Sequence, residues 1–319
     1  MEPREALAAL RQFLSQQIIG QERLIERLLI ALLADGHLLT EGAPGLAKTR
    51  AIKELAMGLE VQFHRIQFTP DLLPADITGT EIYRPETGNF SFQKGPIFHN
   101  LVLADEINRA PAKVQSALLE AMAERQLSVG SNTHELSPLF LVMATQNPIE
   151  QEGTYPLPEA QLDRFLLHVK IDFPDASVER KILQQARGEA INGETKLEQR
   201  ISQETIFSAR QEVLTLYMAD AVEEYLVQLI IATRTPSKFD SDLARWIAYG
   251  ASPRGSISLD RCARAHAWLA GRDFVSPEDI QAVVFDVLRH RIILSFEAEA
   301  AGIDQDRVIQ RILDVVAVA

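Results

Sequence analysis

A short apolar segment, a glycine-containing loop and a helix-forming segment follow one another between His37 and Glu60, and this order constrains the fold more than any other part of the chain. The apolar segment is HLLTE (37–41), the loop is GAPGLAKT (42–49), and KTRAIKELAMGLE (48–60) has the composition of a helix. A loop with this spacing of glycine, lysine and threonine presents backbone N–H groups and a lysine to phosphate groups where it opens a helix. The sequence therefore predicts a phosphate-binding loop between a strand and a helix.

Ala47 stands where the phosphate-loop pattern has a glycine before the lysine. Because a Cβ atom is disfavoured at positive φ, we expect Ala47 to have a negative φ and a methyl group that points away from the phosphates. Lys48 is expected to reach the β- and γ-phosphates of ATP, and Thr49 to bind Mg²⁺. The other loop residues expected to contact the nucleotide are Gly42, Ala43, Pro44, Gly45, Leu46 and Arg50. Alone, the near-match also fits a turn that caps a helix.

Apolar segments alternate with helical ones up to about residue 172, which predicts an α/β fold with a parallel sheet covered on both faces. The further predicted strands span residues 61–69, 101–105, 139–147 and 165–171. Beyond residue 172 the pattern predicts helices alone, at residues 176–188, 203–217, 219–234, 255–271, 277–291 and 304–316. We therefore expect one domain over residues 1–172 and an all-helical domain over residues 173–319.

Two of the buried strands end in polar residues suited to phosphoryl transfer. The strand 101–105 ends in Asp105, which Glu106 follows, and the strand 139–147 ends in Asn147. The carboxyl ends of parallel strands lie at one edge of the sheet, where open α/β folds bind ligands. Asp105 can hold Mg²⁺ through water, Glu106 can orient and deprotonate an attacking water, and Asn147 can hydrogen-bond that water. Taken alone, these residues also fit solvated strand-to-helix turns and an Asn-Pro turn.

The motifs GAPGLAKT, LVLADE, ATQNP and LPEAQLDRF occur in this order, and together they resemble the AAA+ ATPases. EGAPGLAKT, TPDLLPADITGTEIY (69–83), GPIFHNLVLADEINRAP (95–111) and YPLPEAQLDRF (155–165) are similar to the MoxR branch in particular. The resemblance implies an AAA+ P-loop core with a five-stranded parallel sheet and hairpin insertions, followed by an all-α lid domain. It also implies that Ala47 is compatible with a working site, since MoxR-like sequences commonly carry alanine there.

The resemblance assigns further roles by position. Ile19 and Gly20 would lie near the adenine, and Asn147 matches sensor 1. Arg164, in LDRF, matches the arginine finger that acts on the nucleotide of a neighbouring subunit. Arg254, in SPRG, matches sensor 2, which contacts the γ-phosphate. Whether Arg254 acts in its own subunit or in the next one stays open at this point.

The function implied by the resemblance is Mg-dependent ATP hydrolysis by a homo-oligomer, typically a hexameric ring, that remodels or matures protein clients. A partner with a von Willebrand factor type A domain is implied in the same way. Two insertions, 82–97 and 126–140, have the pattern of hairpins, and in related rings such hairpins face the central pore. They contain few basic residues, and the net charge is −12, so a protein client is favoured over nucleic acid.

Two alternatives stay open beside this function. The first is an ATP-driven nucleic-acid motor related to the MCM or McrB proteins, whose hydrolysis would be stimulated by DNA. The second is a nucleotide-gated scaffold that binds ATP and hydrolyses it poorly. The presence of Lys48, Asp105, Glu106, Asn147 and Arg164 argues against the second alternative.

The N-terminal segment and the cysteine content indicate a cytoplasmic location without membrane insertion. Residues 1–14 carry charges where a signal peptide would have an apolar core, and the apolar run at residues 28–34 is too short to span a bilayer. The only cysteine is Cys262, so the sequence has no intrachain disulfide.

Overall fold

The fold was obtained as a computed structural model, which describes residues 2–86, 88–130, 132–148, 153–192, 197 and 199–318. Thr87 and Ser131, near the turns of the two predicted hairpins, lie outside the described residues. The helices are, in chain order, α1 (Pro3–Gln17), α2 (Glu22–Leu33), α3 (Lys48–Gly58), α4 (Pro74–Thr78), α5 (Ala112–Glu124), α6 (Glu159–Leu162), α7 (Ala176–Asn192), α8 (Gln203–Leu214), α9 (Asp220–Arg234), α10 (Ser241–Trp246), α11 (Pro253–Leu269), α12 (Pro277–Leu288), α13 (Phe296–Ala300) and α14 (Gln305–Val315). The strands are β1 (Leu38–Glu41), β2 (Phe63–Gln67), β3 (Gly79–Arg84), β4 (Asn89–Lys94), β5 (Leu101–Asp105), β6 (Gln126–Val129), β7 (Asn132–Glu135), β8 (Leu141–Gln146), β9 (Leu167–Lys170), β10 (Tyr217–Met218), β11 (Ile247–Tyr249), β12 (Phe274–Val275) and β13 (Ile293–Leu294).

The central sheet has five parallel strands in the order β2-β5-β8-β1-β9, which confirms the predicted sheet. Strands β5 and β8 lie in its middle and are buried along nearly their whole length, because both of their faces are covered by helices. Since all strands run in one direction, the ends of β1, β5 and β8 lie at the same edge. That edge carries the phosphate loop, the acidic pair and Asn147.

Both predicted hairpins are present as antiparallel pairs outside the central sheet. Strand β3 pairs with β4, and β6 pairs with β7. The two hairpins touch each other, because the ring of Phe92 in β4 stacks on the ring of His134 in β7 with centroids 4.0 Å apart. They therefore form one continuous surface beside the sheet.

The segment after β9 is mainly helical, as predicted, but it also contains two short strand pairs that the sequence did not indicate. Strand β10 runs parallel to β12, and β11 runs antiparallel to β13. Strands of two or three residues are too short to show an alternating pattern, so the prediction of helices alone was incomplete there. None of the helices in the described part of the chain combines the length and the apolar character that crossing a bilayer requires.

A buried carboxylate on α12 joins the helical segment to the N-terminal helices. Asp286 is fully buried and accepts hydrogen bonds from Arg27 (2.8 Å) and Arg23 (2.8 Å) of α2, and from Arg289 (3.0 Å). Burial alone would raise the pKa of Asp286, but the three guanidinium groups outweigh it and hold that pKa below its ordinary value. The carboxylate is thus ionised and fixes α2 against α12. The division of the chain at residue 172 stays a prediction.

Candidate active site

The phosphate loop connects β1 to α3, and its backbone turns through two left-handed residues. Gly45 has a φ of +84°, and Ala47 has a φ of +57° with a ψ of +13°. The expectation of a negative φ at Ala47 was therefore wrong. This conformation costs an alanine about 1–2 kcal/mol. The rest of the loop therefore favours a left-handed residue 47 by more than the strain of one Cβ atom. The direction of the Ala47 methyl group relative to phosphates stays a prediction.

Lys48, at the first position of α3, is buried and its Nζ atom donates a hydrogen bond to the carbonyl oxygen of Gly42 at 2.6 Å. Burial lowers the pKa of Lys48, and the carboxylates of Asp105, Glu106 and Glu41 oppose that shift. The lysine ammonium group is thus bound to the first residue of its own loop, and three carboxylates attract it electrostatically. Such a partly dehydrated cation at a helix start is suited to bind a polyphosphate.

Both oxygens of Asp105, at the end of β5, accept hydrogen bonds from neighbouring strands. Oδ1 accepts from the hydroxyl of Thr145 in β8 at 2.7 Å, and Oδ2 accepts from Arg65 in β2 at 3.0 and 2.6 Å. The same Thr145 oxygen accepts from the backbone N–H of Glu106 at 2.9 Å. Thr145 therefore orients both acidic residues. The sequence alone did not indicate a role for Arg65.

Glu106 has a left-handed backbone with a φ of +57°, and its carboxylate is held by two side chains. Oε2 accepts from Gln67 Nε2 at 2.8 Å and lies 3.3 Å from Nη1 of Arg109. The sequence did not indicate a role for Gln67 either, although the polar residues Arg65 and Gln67 within a strand of the sheet are a signal for it. Because Gln67 pairs in register with Asp105, it lies at the same edge as the acidic pair.

The loop, the acidic pair and Asn147 line one cavity of about 400 Å³, with Asn147 itself almost fully buried. The residues that line it are Pro44, Gly45, Ala47, Lys48, Thr49, Arg50, Arg65, Asp105, Glu106, Thr145 and Asn147. We name it the phosphate cavity. It brings together most of the predicted site residues. Gly42 and Ala43 are not among the described residues that line it; Gly42 packs against Ile171, and Ala43 is buried.

A second cavity of about 220 Å³ adjoins the phosphate cavity and shares Pro44, Gly45, Ala47 and Arg50 with it. Its lining is more apolar, with Ile18, Ile19, Leu46, Phe173, Pro174 and Ile182 among its residues. We name it the apolar cavity. Gly20 lies beside it with a φ of +76°, and a Cβ there would come within 2.2 Å of Val178 in α7. A ligand with a charged end and a flat apolar end could extend through both cavities.

Arg50 connects α3 to α7 at the border of these two cavities. Its guanidinium donates to Glu189 with Nη1 at 3.1 Å from Oε2, and that contact lowers the pKa of the Glu189 carboxyl group. Arg50 Nη2 also lies 3.5 Å from Gln17 Oε1 at the end of α1. This arginine therefore fastens three helices around the predicted nucleotide site.

Arg164 and Arg254 line a third cavity, of about 310 Å³, which shares no described residue with the phosphate cavity or the apolar cavity. We name it the arginine cavity. Arg164 Nη1 donates to the carbonyl oxygen of Leu119 at 2.5 Å. Arg254 is more than half exposed and lies 3.5 Å from Asp163 Oδ2. The two predicted arginines are thus brought together with each other and not with Lys48.

The turn that carries Arg164 is held by hydrogen bonds from two parts of the helical segment. Asp163 accepts from Ser252 Oγ at 2.9 Å and from Arg291 Nε at 2.9 Å. Arg291 is fully buried and also donates to the carbonyl oxygen of Phe165 at 2.6 Å. The start of α11 and the segment after α12 therefore hold the position of Arg164.

The chain is similar in sequence and in structure to known proteins. The profile of the ATPase family associated with various cellular activities (AAA) matches residues 37–167, and that of the AAA lid domain matches residues 241–312. The chain is 46% identical over 303 residues to the chaperone MoxR1 of Mycobacterium tuberculosis, covering 94% of this chain and 79% of that protein. It is 34% identical over 323 residues to the protein MoxR of Methylorubrum extorquens, covering 95% of this chain and 92% of that protein. The crystal structure of a candidate ATPase from Cytophaga hutchinsonii superposes on this chain with a TM-score of 0.92 at 45% identity. The match covers 99% of this chain and 96% of that protein.

Proposed function

Because the chain belongs to the MoxR family of AAA+ ATPases, we propose that it hydrolyses ATP to ADP and phosphate and uses this reaction to remodel protein clients. The single observation that carries the proposal is the phosphate cavity, in which Lys48, the acidic pair and Asn147 surround the start of α3. In phosphoryl transfer the protein mainly positions groups and stabilises charge, and this cavity has the residue types for both tasks.

ATP fits the two adjoining cavities by the chemistry of their linings. The triphosphate would lie in the phosphate cavity, against the backbone N–H groups of the loop and Lys48, which would then exchange its bond to Gly42 for phosphate oxygens. The adenine would lie in the apolar cavity against Ile19, with Gly20 allowing the close approach of α7. The Thr49 hydroxyl would bind Mg²⁺ and Asp105 would hold it through water, and the cation would neutralise phosphate charge when bound.

Glu106 would act as the base for the attacking water, with Asn147 as the second group that orients this water. In the structure the Glu106 carboxylate is bound by Gln67 and Arg109. Oε2 already accepts from both of these side chains, so it has little remaining capacity to accept a hydrogen bond from the attacking water. We therefore propose that Glu106 becomes active when it leaves Gln67.

Arg164 and Arg254 would complete the site of a neighbouring subunit. Their common position in the arginine cavity, separate from the phosphate cavity, supports a role for both in trans. A guanidinium that enters from a neighbour stabilises the negative charge developing on the γ-phosphate. Hydrolysis would then depend on assembly into a homo-oligomer, which we propose to be a hexameric ring.

A protein client is supported by the relatives and by the hairpin surface. MoxR1 carries the name of a chaperone. The β3–β4 hairpin presents exposed aromatic side chains at Tyr83 and Phe90, which suit contacts with polypeptide. The partner with a von Willebrand factor type A domain and the cytoplasmic location are proposed from the resemblance and from the sequence.

The experiment that tests the proposal is ATP hydrolysis per subunit, measured with Mg²⁺ over a range of protein concentrations while sedimentation reports the size of the assembly. We expect the activity per subunit to rise with assembly. Glu106→Gln should lower kcat by roughly 10²–10⁴-fold with ATP still bound, and Arg164→Ala by roughly 10³-fold or more. Arg307→Gln, on the exposed surface of α14, is the matched control for a lost positive charge and should be unchanged.

Two results would contradict the proposal. Constant activity per subunit down to the monomer would exclude arginines supplied in trans. Strong stimulation of hydrolysis by DNA, without an effect of unfolded polypeptide, would favour the nucleic-acid motor over the protein remodeller.

A further inference from the structure

The arginine cavity contains an arginine to which no role has been assigned. Arg261 is partly buried and lines this cavity together with Arg164 and Arg254. Arg254 and Arg261 are seven residues apart on α11, which is about two helical turns, so they lie on one face of the helix. Ile257 and Ser258, which lie between them, line the same cavity. The helix therefore presents both guanidinium groups on the same side.

The arginine cavity has more positive than negative side chains. Its arginines are Arg125, Arg164, Arg254, Arg261 and Arg291, and its carboxylates are Asp35 and Asp163. Both carboxylates are already engaged: Asp35 lies 2.5 Å from Arg125 and from Arg210, and Asp163 lies 2.9 Å from Arg291. The excess of positive charge favours an anion from outside this subunit.

Arg261 contributes most clearly to this excess. Within the part of the chain that the structure describes, its guanidinium forms no hydrogen bond and no ion pair, whereas Arg125, Arg254 and Arg291 each have an acidic partner. A guanidinium carries several N–H donors in a fixed plane, and no Arg261 nitrogen is among the described side-chain atoms that are buried without a partner, so these donors stay accessible to a ligand. A phosphate group matches that planar arrangement of donors.

We propose that Arg261 binds the polyphosphate of the nucleotide held by a neighbouring copy of this chain, beside Arg164 and Arg254. The inference rests on the proposed function, because the phosphate comes from the phosphate cavity of the neighbour. Arg261 adds one charge-assisted contact to the bound triphosphate. Its loss lowers kcat/KM in the assembled protein and leaves the affinity of an isolated subunit for ATP unchanged.

The first experiment compares wild type, Arg261→Gln, Arg261→Lys and the control Arg307→Gln. Each is measured for kcat and KM of ATP hydrolysis in the assembled state and for the Kd of ATP at dilution to monomer. We expect Arg261→Gln to lower kcat/KM by roughly ten- to a hundredfold, the effect of one charged hydrogen bond. Arg261→Lys should recover part of the loss, because it keeps the charge without the planar group. Arg307→Gln should match the wild type.

The second experiment mixes subunits to separate a role in trans from a structural one. Lys48→Ala subunits have a defective phosphate cavity and an intact Arg261, while Arg261→Gln subunits have the reverse. Neither should hydrolyse ATP well alone, but a mixture forms some junctions in which both parts are intact. We expect activity to return in the mixture, as it should for Arg164→Ala mixed with Lys48→Ala.

The outcomes are distinguishable. A kcat/KM of Arg261→Gln within roughly twofold of wild type overturns the inference. So does a mixture that stays inactive while the corresponding Arg164→Ala mixture recovers, since Arg261 would then act within its own subunit. If the Arg164→Ala mixture also fails and wild type is active as a monomer, the proposed function itself fails in its trans form.

Discussion

The guanidinium of Arg65 donates two hydrogen bonds to one oxygen of Asp105, with Nε at 3.0 Å and Nη2 at 2.6 Å from Oδ2. The other oxygen, Oδ1, accepts from Thr145. Both oxygens of the carboxylate that we expect to hold Mg²⁺ are thus already engaged by protein groups. The water shell of a divalent cation would have to compete with the guanidinium for Oδ2.

Replacement of Arg65 should therefore change the response to Mg²⁺. We expect Arg65→Gln to lower the Mg²⁺ concentration needed for half-maximal ATP hydrolysis by roughly two- to fivefold, because a half-exposed ion pair contributes about 0.5–1 kcal/mol. The measurement is a Mg²⁺ titration of hydrolysis at saturating ATP. An unchanged or higher midpoint would mean that Arg65 supports the cation site instead of competing with it.

A substitution series at Ala47 tests the left-handed loop. Ala47→Gly should be neutral or stabilising by up to about 1 kcal/mol and should keep ATP affinity, because glycine removes the cost of a Cβ atom at a φ of +57°. Ala47→Val should raise the Kd of ATP by roughly tenfold or more, since a β-branched residue is strongly disfavoured there. Chemical denaturation and nucleotide titration measure both quantities. Equal ATP affinities of the glycine and valine variants would argue against a left-handed residue 47.

We expect the free energy of unfolding to fall as the pH is lowered, because the buried imidazole of His37 is neutral in the folded protein. The imidazole Nδ1 accepts from the backbone N–H of Val142 at 3.0 Å, so Nε2 carries the proton toward the carbonyl oxygen of Met122 at 3.2 Å. Burial lowers the pKa of His37 from 6.5 to about 4. Between pH 6.5 and pH 4 the His37 imidazole is therefore protonated in the unfolded chain but not in the folded chain. The free energy of unfolding falls by about 3 kcal/mol as the pH is lowered through this range.

The measurement is the free energy of unfolding from pH 8 to pH 4 for wild type and His37→Gln. The glutamine variant should be less stable near pH 8, where the wild-type hydrogen bonds are intact, and should lose less stability on acidification. Parallel curves for the two proteins would exclude His37 as the source of the acid sensitivity.

Arg291 should be far more important for stability than an exposed arginine of the same segment. Arg291→Met removes the counter-ion of Asp163 and the donors to the 163–166 turn, so we expect a loss of about 3–5 kcal/mol. Arg245, whose ion pairs with Asp242 and Glu297 are exposed, gives the matched control, and Arg245→Met should leave the free energy of unfolding close to that of wild type. Urea unfolding measures both. Similar losses for the two variants would contradict the supporting role of Arg291.

The sequence predicted the five-stranded sheet and the grouping of polar residues at one of its edges, because buried parallel strands are apolar runs and their polar ends stand out. It could not predict Arg65 and Gln67 as partners of the acidic pair, since their contacts depend on the register between β2 and β5, which are far apart in the chain. At Ala47 the local cost of a side chain pointed to the wrong sign of φ, because the geometry of the whole loop decides that angle. The sequence also left open the subunit in which Arg254 acts. Its position beside Arg164 depends on how α11 packs, and helical periodicity does not report that packing.

The separation of the arginine cavity from the phosphate cavity has a numerical consequence. If each working site needs one cavity of each kind from two different copies, an open row of copies always has one site fewer than it has members, and its two end copies each keep an unused half. Closing the row into a ring removes both ends at once and adds the last site. The activity per copy would then report ring closure, and a subunit lacking Arg164 would silence the site of one neighbour while its own site still worked.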